Sequence, residues 1–272
     1  MSSAIRKRRR LVWDVVGVLV FVVMVFPVFW MISTSFKPNE QIVSLNPTWI
    51  PFHPTLSHFR DAMHEPYFWT DVKNSLVVVL ATVGFSVLLA FLAAIALARF
   101  GFSGRTLFIV FIISIQMLPQ AGLIIPLYVV LARYHQTNTL TGLTITYLTF
   151  VLPFCVWTLR GFLLGIPKEL EEAAALDGAT RWQRLRYVIL PLLRPALLPS
   201  VLLGAVWTFN MFNIVFIVSG GEPDGATDIL VSQAYRWAFT RGHRYGYAAA
   251  YAVLIFAILY AQTLFSKNEE AA

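Results

Sequence analysis

IPKELEEAAALDGATRWQRLRYVILP, residues 166–191, is too polar to cross a bilayer and too patterned to be a plain connector. Pro167 can open a helix, because the N–H it lacks would have no partner there in any case. Glu169, Glu171 and Glu172 fall in the first turns, where the positive end of the helix dipole favours acids. Ala173, Ala174 and Ala175 are strong helix formers and give a small, flat surface on which another protein can pack closely. Gly178 stops the helix as a left-handed C-terminal residue would, and Thr180 with Gln183 three residues on has the spacing of a capping box. The pattern predicts a short helix, a bend and a second, amphipathic helix that carries Trp182, Leu185, Val188 and Ile189 on one side and ends near Pro191 and Pro195.

The sequence around this segment is that of a membrane protein. Of its 272 residues 58% are hydrophobic and 13% charged, with a mean hydropathy of +0.68, against roughly 45–50% and 25% in soluble domains. A soluble chain of this composition would have too little polar surface to cover its core. A hydrocarbon layer about 30 Å thick needs about 20 apolar residues of helix. Six stretches approach that length, near 11–33, 74–98, 106–131, 141–164, 195–218 and 245–266. The expected fold class is all-α, with six transmembrane helices in a single membrane domain over 11–266. A basic N-terminus, 1–10, precedes it and a short tail, 267–272, follows. The first apolar run follows Arg6–Arg10 but is longer than a signal-peptide core and has no A-x-A cleavage site, so it reads as a retained helix.

Fourteen of the 21 Lys and Arg residues lie in the N-terminus, the 99–105 turn, the 160–194 segment and the tail; the other seven lie in the alternate connections. The positive-inside bias therefore puts both termini and the 166–191 segment in the cytoplasm, and the 34–73 and 219–243 loops outside. The net charge of +7 sits between apolar runs, an arrangement that suits membrane orientation rather than nucleic acid. Cys155 stands alone in an apolar stretch, which excludes a disulfide framework within the chain. His53, His58 and His64 are spaced by five and six residues among prolines, so they share no helical face and no metal site is expected. The chain has no G-x-x-x-x-G-K-[ST] phosphate loop, no H-E-x-x-H and no G-x-S-x-G, so it reads as no enzyme.

Glu172-Ala173-Ala174, then Gly178 after three residues, then Val188-Ile189-Leu190-Pro191 after nine more, resembles the cytoplasmic EAA loop of ATP-binding-cassette importer permeases. FPVFWMISTSFKPNE (26–40), MLPQAGLIIPLYVVL (117–131), NTLTGLTITYLTFVLPFCVWTLRGF (138–162) and TFNMFNIVFIVSGGEPDGATDILVSQAYRWAF (208–239) are similar to the carbohydrate-uptake group, the maltose-type permeases in particular. The resemblance implies the type I importer permease fold and residence in the bacterial inner membrane. It also implies a sugar cargo, maltose or maltodextrin, with another sugar or a non-sugar solute as the alternative. The implied partners are a second permease subunit in a heterodimer, two ATPase subunits that hold the ATP and Mg, and an extracytoplasmic sugar-binding protein. In that family the short helix docks on the ATPase. Glu172, Ala173, Ala174, Asp177, Gly178 and Pro191 are then coupling residues, with Glu172 facing a basic group of the ATPase. No cofactor is expected in this chain itself.

Passage of a sugar asks for hydrogen-bonding groups and aromatic faces at membrane depth. The polar candidates are Asn210 and Asn213, three apart and so on one helix face, together with Gln116, Gln120 and Tyr147. Trp207 and Phe209 could stack on a sugar ring. The same amides could instead bond neighbouring helices, and the aromatic residues could be packing. Outside, Gly220-Gly221 and Asp224-Gly225 are turn signals. By the resemblance, Gly220, Gly221, Glu222 and Pro223 are contacts for the binding protein. A secondary transporter would need titratable groups at membrane depth, whereas the acid nearest a span, Asp14, sits at its cytoplasmic end. A membrane-embedded enzyme would need a paired nucleophile and base within the spans, and none occurs.

Overall fold

The computed structural model describes residues 3–221 and 225–270, and the elements in them are helical. In chain order they are α1 (Ser3–Ser35), α2 (Asn39–Ile42), α3 (Ser57–His64), α4 (Phe68–Arg99), α5 (Arg105–Met117), α6 (Gln120–Arg133), α7 (Leu140–Gly165), α8 (Lys168–Leu176), α9 (Arg181–Arg184), a π turn (Leu185–Ile189), α10 (Leu190–Asn210), α11 (Phe212–Val218), α12 (Leu230–Phe239) and α13 (Tyr245–Glu270). Among the described residues, five segments are long and apolar enough to cross a bilayer: Leu11–Ser35, Phe68–Arg99, Leu140–Gly165, Arg181–Asn210 and Tyr245–Leu264. The bent pair α5–α6 makes a sixth when counted as one span. The apolar run expected as a single helix over 106–131 is thus two helices, because Pro119 donates no hydrogen bond and holds Leu118 extended.

The chain forms two compact units, Met1–Pro66 with Gln233–Phe256, and Tyr67–Ser232 with Ala257–Ala272. In the first, the side chains of residues 11–29 on α1 are exposed, Phe21 and Met24 among them. Apolar surface of this extent has lipid or another membrane chain as its solvent. Beyond the end of α1 the chain is tied down. The ring of Trp30 lies against Trp49, Ser33 donates to the Trp49 carbonyl at 2.6 Å, and the Lys37 ammonium lies 4.0 Å from the centre of the Trp30 ring. Burial pushes the Lys37 ammonium below its ordinary pKa. The cation–π contact offsets part of that desolvation. His58 is buried with Nε2 at 2.8 Å from the Lys37 carbonyl, a structural bond that locks α3 onto this corner.

In the second unit α4 packs along α7. Leu143, Tyr147, Val151, Cys155, Leu159 and Leu163 recur every four residues on α7 and are fully buried. Such a row is the ridge that enters a neighbouring helix's groove. Ala90, Ala94 and Ala98 on α4 are small and buried, and small side chains let membrane helices approach closely where no hydrophobic drive separates them from lipid. Thr139 caps α7 by accepting from the Gly142 amide at 2.9 Å. A side chain at Gly142 would strike the Gln136 carbonyl oxygen, so the turn leading into α7 requires glycine there.

Candidate functional site

The hairpin of α8 and α9 is built as the sequence requires. Pro167 is the N-cap of α8, with Glu169 and Glu171 in its first turn. At the other end Gly178 has φ +86°, its amide donates to the Ala175 carbonyl (3.1 Å) and the Ala179 amide to that of Ala174 (2.9 Å). This is a Schellman stop, which needs a left-handed residue. Thr180 and Gln183 form a reciprocal capping box: the Gln183 amide donates to Thr180 Oγ1 (3.3 Å) and the Thr180 amide to Gln183 Oε1 (2.7 Å). The bend leaves Glu172, Ala173, Asp177 and Gly178 exposed, Ala174 half-buried and Leu176 90% exposed. Five residues in a π turn then lead into α10, the Leu190 amide donating to the Leu185 carbonyl. Pro191 follows at once; it lacks a donor for the Tyr187 carbonyl, and a widened turn relieves the clash its ring would make in an α-helix.

One residue that sequence reasoning treated only as a charge belongs to this site. Arg99, the last residue of α4, donates through Nε to Glu171 Oε1 at 2.6 Å and through Nη2 to the Ile166 carbonyl at 3.1 Å. The side chains are 9% and 17% exposed. No local signal could have paired residues 72 positions apart.

A second arrangement lies at the α5–α6 break. Gln116, at the end of α5, and Gln120, at the start of α6, line a cleft of about 200 Å3 together with Thr149, Phe154 and Trp207. The Phe154 and Trp207 rings are 4.8 Å apart. Two amides and an aromatic face thus converge from four helices. The other expected polar residues do not join them. Tyr147 is fully buried, and its hydroxyl donates to the Met211 carbonyl at 2.9 Å. Phe209, 2% exposed, is packing rather than a stacking face. Asn210 and Asn213 do not share one continuous helix: the chain breaks at Met211 (φ −75°, ψ 63°), leaving Asn210 exposed at the end of α10 and Asn213 half-buried on α11. Asn210 Nδ2 donates to the Val206 carbonyl of its own helix at 2.8 Å. Tyr147→Phe would orphan the Met211 carbonyl and is expected to cost about 1 kcal/mol. Thermal unfolding of the purified protein should show that loss.

In the 219–243 loop Gly220 and Gly221 both have positive φ, +57° and +82°, which glycine adopts freely. Glu222 and Pro223 lie outside the described residues. The far side of the loop is anchored on α4: Asn74 Nδ2 donates to the carbonyls of Ala226 and Asp228, both at 2.9 Å, and the Leu230 amide donates to Ser75 Oγ at 3.0 Å. These anchors also escaped sequence reasoning.

Residues 86–269 match the family described as the inner membrane component of binding-protein-dependent transport systems. Over 209 residues, 76% of each chain, the protein is 43% identical to the diacetylchitobiose uptake system permease protein DasC of Streptomyces coelicolor. Over 212 residues, again 76% of each, it is 32% identical to the trehalose/maltose transport system permease protein MalG of Thermococcus litoralis. A chain of a bacterial ABC transporter involved in alginate import shares the fold, with a TM-score of 0.75 at 19% identity over 98% of both chains. The protein belongs to the inner-membrane permease family of binding-protein-dependent transport systems, and within it to the permeases of carbohydrate uptake.

Proposed function

We propose that this chain is one half of a permease pair that carries a neutral disaccharide or short oligosaccharide inward across the bacterial inner membrane. Separate ATPase subunits, which hold ATP and Mg, dock on the exposed face of α8, and an extracytoplasmic binding protein delivers the sugar to the 219–243 loop. Both termini and the α8–α9 hairpin then lie in the cytoplasm, as the basic residues argue. The observation that carries this reading is the hairpin itself. A Schellman stop and a reciprocal capping box hold Glu172, Ala173, Asp177 and Leu176 out into solvent, and a 90%-exposed leucine on a rigid platform is a surface awaiting a partner.

The cleft of Gln116, Gln120 and Trp207 is the wall of the sugar route supplied by this chain. At about 200 Å3 it is smaller than the 300–1,000 Å3 of ordinary ligand sites, so the second permease completes the cavity. Maltose or maltodextrin, the cargo first implied by the sequence, and diacetylchitobiose, transported by the 43%-identical relative, both belong to this class. The test is reconstitution of the complex in proteoliposomes with its binding protein and each of diacetylchitobiose, trehalose and maltose in turn. One of them is expected to stimulate ATP hydrolysis and to accumulate inside. Stimulation by an amino acid or phosphate instead, with none by any sugar, would overturn the cargo class.

A further inference from the structure

We propose that Arg99 is the positioning residue through which movement of the docking helix reaches the α4–α7 pair. The inference rests on the proposed docking of an ATPase on α8. From α7, α8 is reached through Ile166 and Pro167 alone, a short extended link that could swing as a hinge. On its other side it packs against α9 and the π turn, which lead to α10. The Arg99 guanidinium closes the open side. One nitrogen holds Glu171 in the first turn of α8, and another holds the carbonyl of Ile166, the residue that caps α7.

A single side chain at the end of α4 therefore ties together the end of α7 and the start of α8. Because α4 and α7 pack along each other, a displacement of α8 is delivered to both spans rather than absorbed at Pro167.

The chemistry suits the task. The pair is mostly shielded, 9% and 17% exposed, so water screens it less than a surface ion pair. Arginine presents several donors in a planar fork, and two of them are used on acceptors from different helices. Lysine, with a compact ammonium, cannot hold both in this geometry. Glu171 is thereby committed inside the chain, which leaves the adjacent Glu172, exposed on α8, free to face outward.

The experiment compares wild type with Arg99→Gln, Arg99→Lys, Glu171→Gln, the double variant Arg99→Gln/Glu171→Gln and the exchange Arg99→Glu/Glu171→Arg in the reconstituted complex. ATPase co-purification, ATP hydrolysis and sugar uptake per ATP are read for each. The single variants are expected to keep their ATPase subunits and hydrolyse ATP, while uptake per ATP falls about tenfold, within the range of ordinary coupling free energies. The double variant should be no worse than Arg99→Gln alone, since that change already removes the contact to Glu171. Arg99→Lys should be intermediate, and the charge exchange should recover part of the loss.

Unchanged uptake per ATP in the single variants, or a double variant whose losses multiply, would overturn the proposal. A variant that loses its protein from the membrane is judged by the exchange: recovery of uptake per ATP supports the tie, and absence of recovery counts against it. Failure of the docking reading looks different, because the ATPase would then be absent from the wild-type complex or indifferent to changes on the exposed face of α8.

Discussion

Gly178→Val is expected to release the ATPase subunits and to lower sugar uptake at least about tenfold, without removing the permease from the membrane. The reason lies in the backbone. A side chain at Gly178 would meet nothing within 4 Å, so crowding inside the chain is not the obstacle. Its φ of +86° is, because a β-branched residue in that region carries strain of about 1–3 kcal/mol. The strain falls on the Schellman stop that aims Leu176 and Asp177 outward, and each 1.4 kcal/mol drawn from docking weakens it about tenfold. Gly178→Asn separates conformation from composition, since asparagine tolerates a left-handed backbone. It should keep most of the uptake and most of the bound ATPase. Co-purification of the ATPase with each permease variant, together with uptake in proteoliposomes, decides the matter. If valine and asparagine behave alike, the left-handed turn is not what holds the docking surface.

The parts of this site that were legible in the sequence are local ones. Gly178, the Thr180–Gln183 pair and the acids of the first turn of α8 act through residues within a few positions of themselves, so spacing alone announced them. The apolar runs announced the helices that could span a membrane, because lipid leaves the backbone no other way to satisfy its hydrogen bonds. The sequence hid what depends on distant partners. Nothing in TFNMFN marks a helix break, since neither glycine nor proline stands there. The Met211 carbonyl is held by Tyr147, 64 residues earlier, and a tyrosine that looked like a lining residue is part of the scaffold. Arg99 carried an orientation signal, and that signal masked its bond to Glu171. The break between α5 and α6 is the intermediate case: Pro119 was visible, but a proline in an apolar run can kink a helix or end it, and its neighbours decide which.

Trp207→Ala is expected to lower sugar uptake about 30-fold, the effect of losing about 2 kcal/mol at a buried aromatic contact, while docked ATPase and its basal hydrolysis stay in place. Trp207 is 45% exposed, its ring tilted against that of Phe154, and shares its cleft with Gln116 and Gln120. An aromatic face beside amide groups is what a sugar, with one apolar ring face and a rim of hydroxyls, requires of its route. Trp207→Phe keeps a face and should retain most of the uptake. Phe209 provides the contrast on the same helix. It is 2% exposed, and Phe209→Ala should instead destabilise the fold by about 3–5 kcal/mol, lowering the amount of intact complex rather than its affinity for sugar. Uptake measured against sugar concentration separates the two: the Trp207 variant should need more sugar for half-maximal uptake, and the Phe209 variant should reach a lower ceiling at an unchanged half-maximal concentration. Were Trp207→Ala to lower only the ceiling, its ring would be packing, and the wall of the route would have to be sought on a different face of the chain.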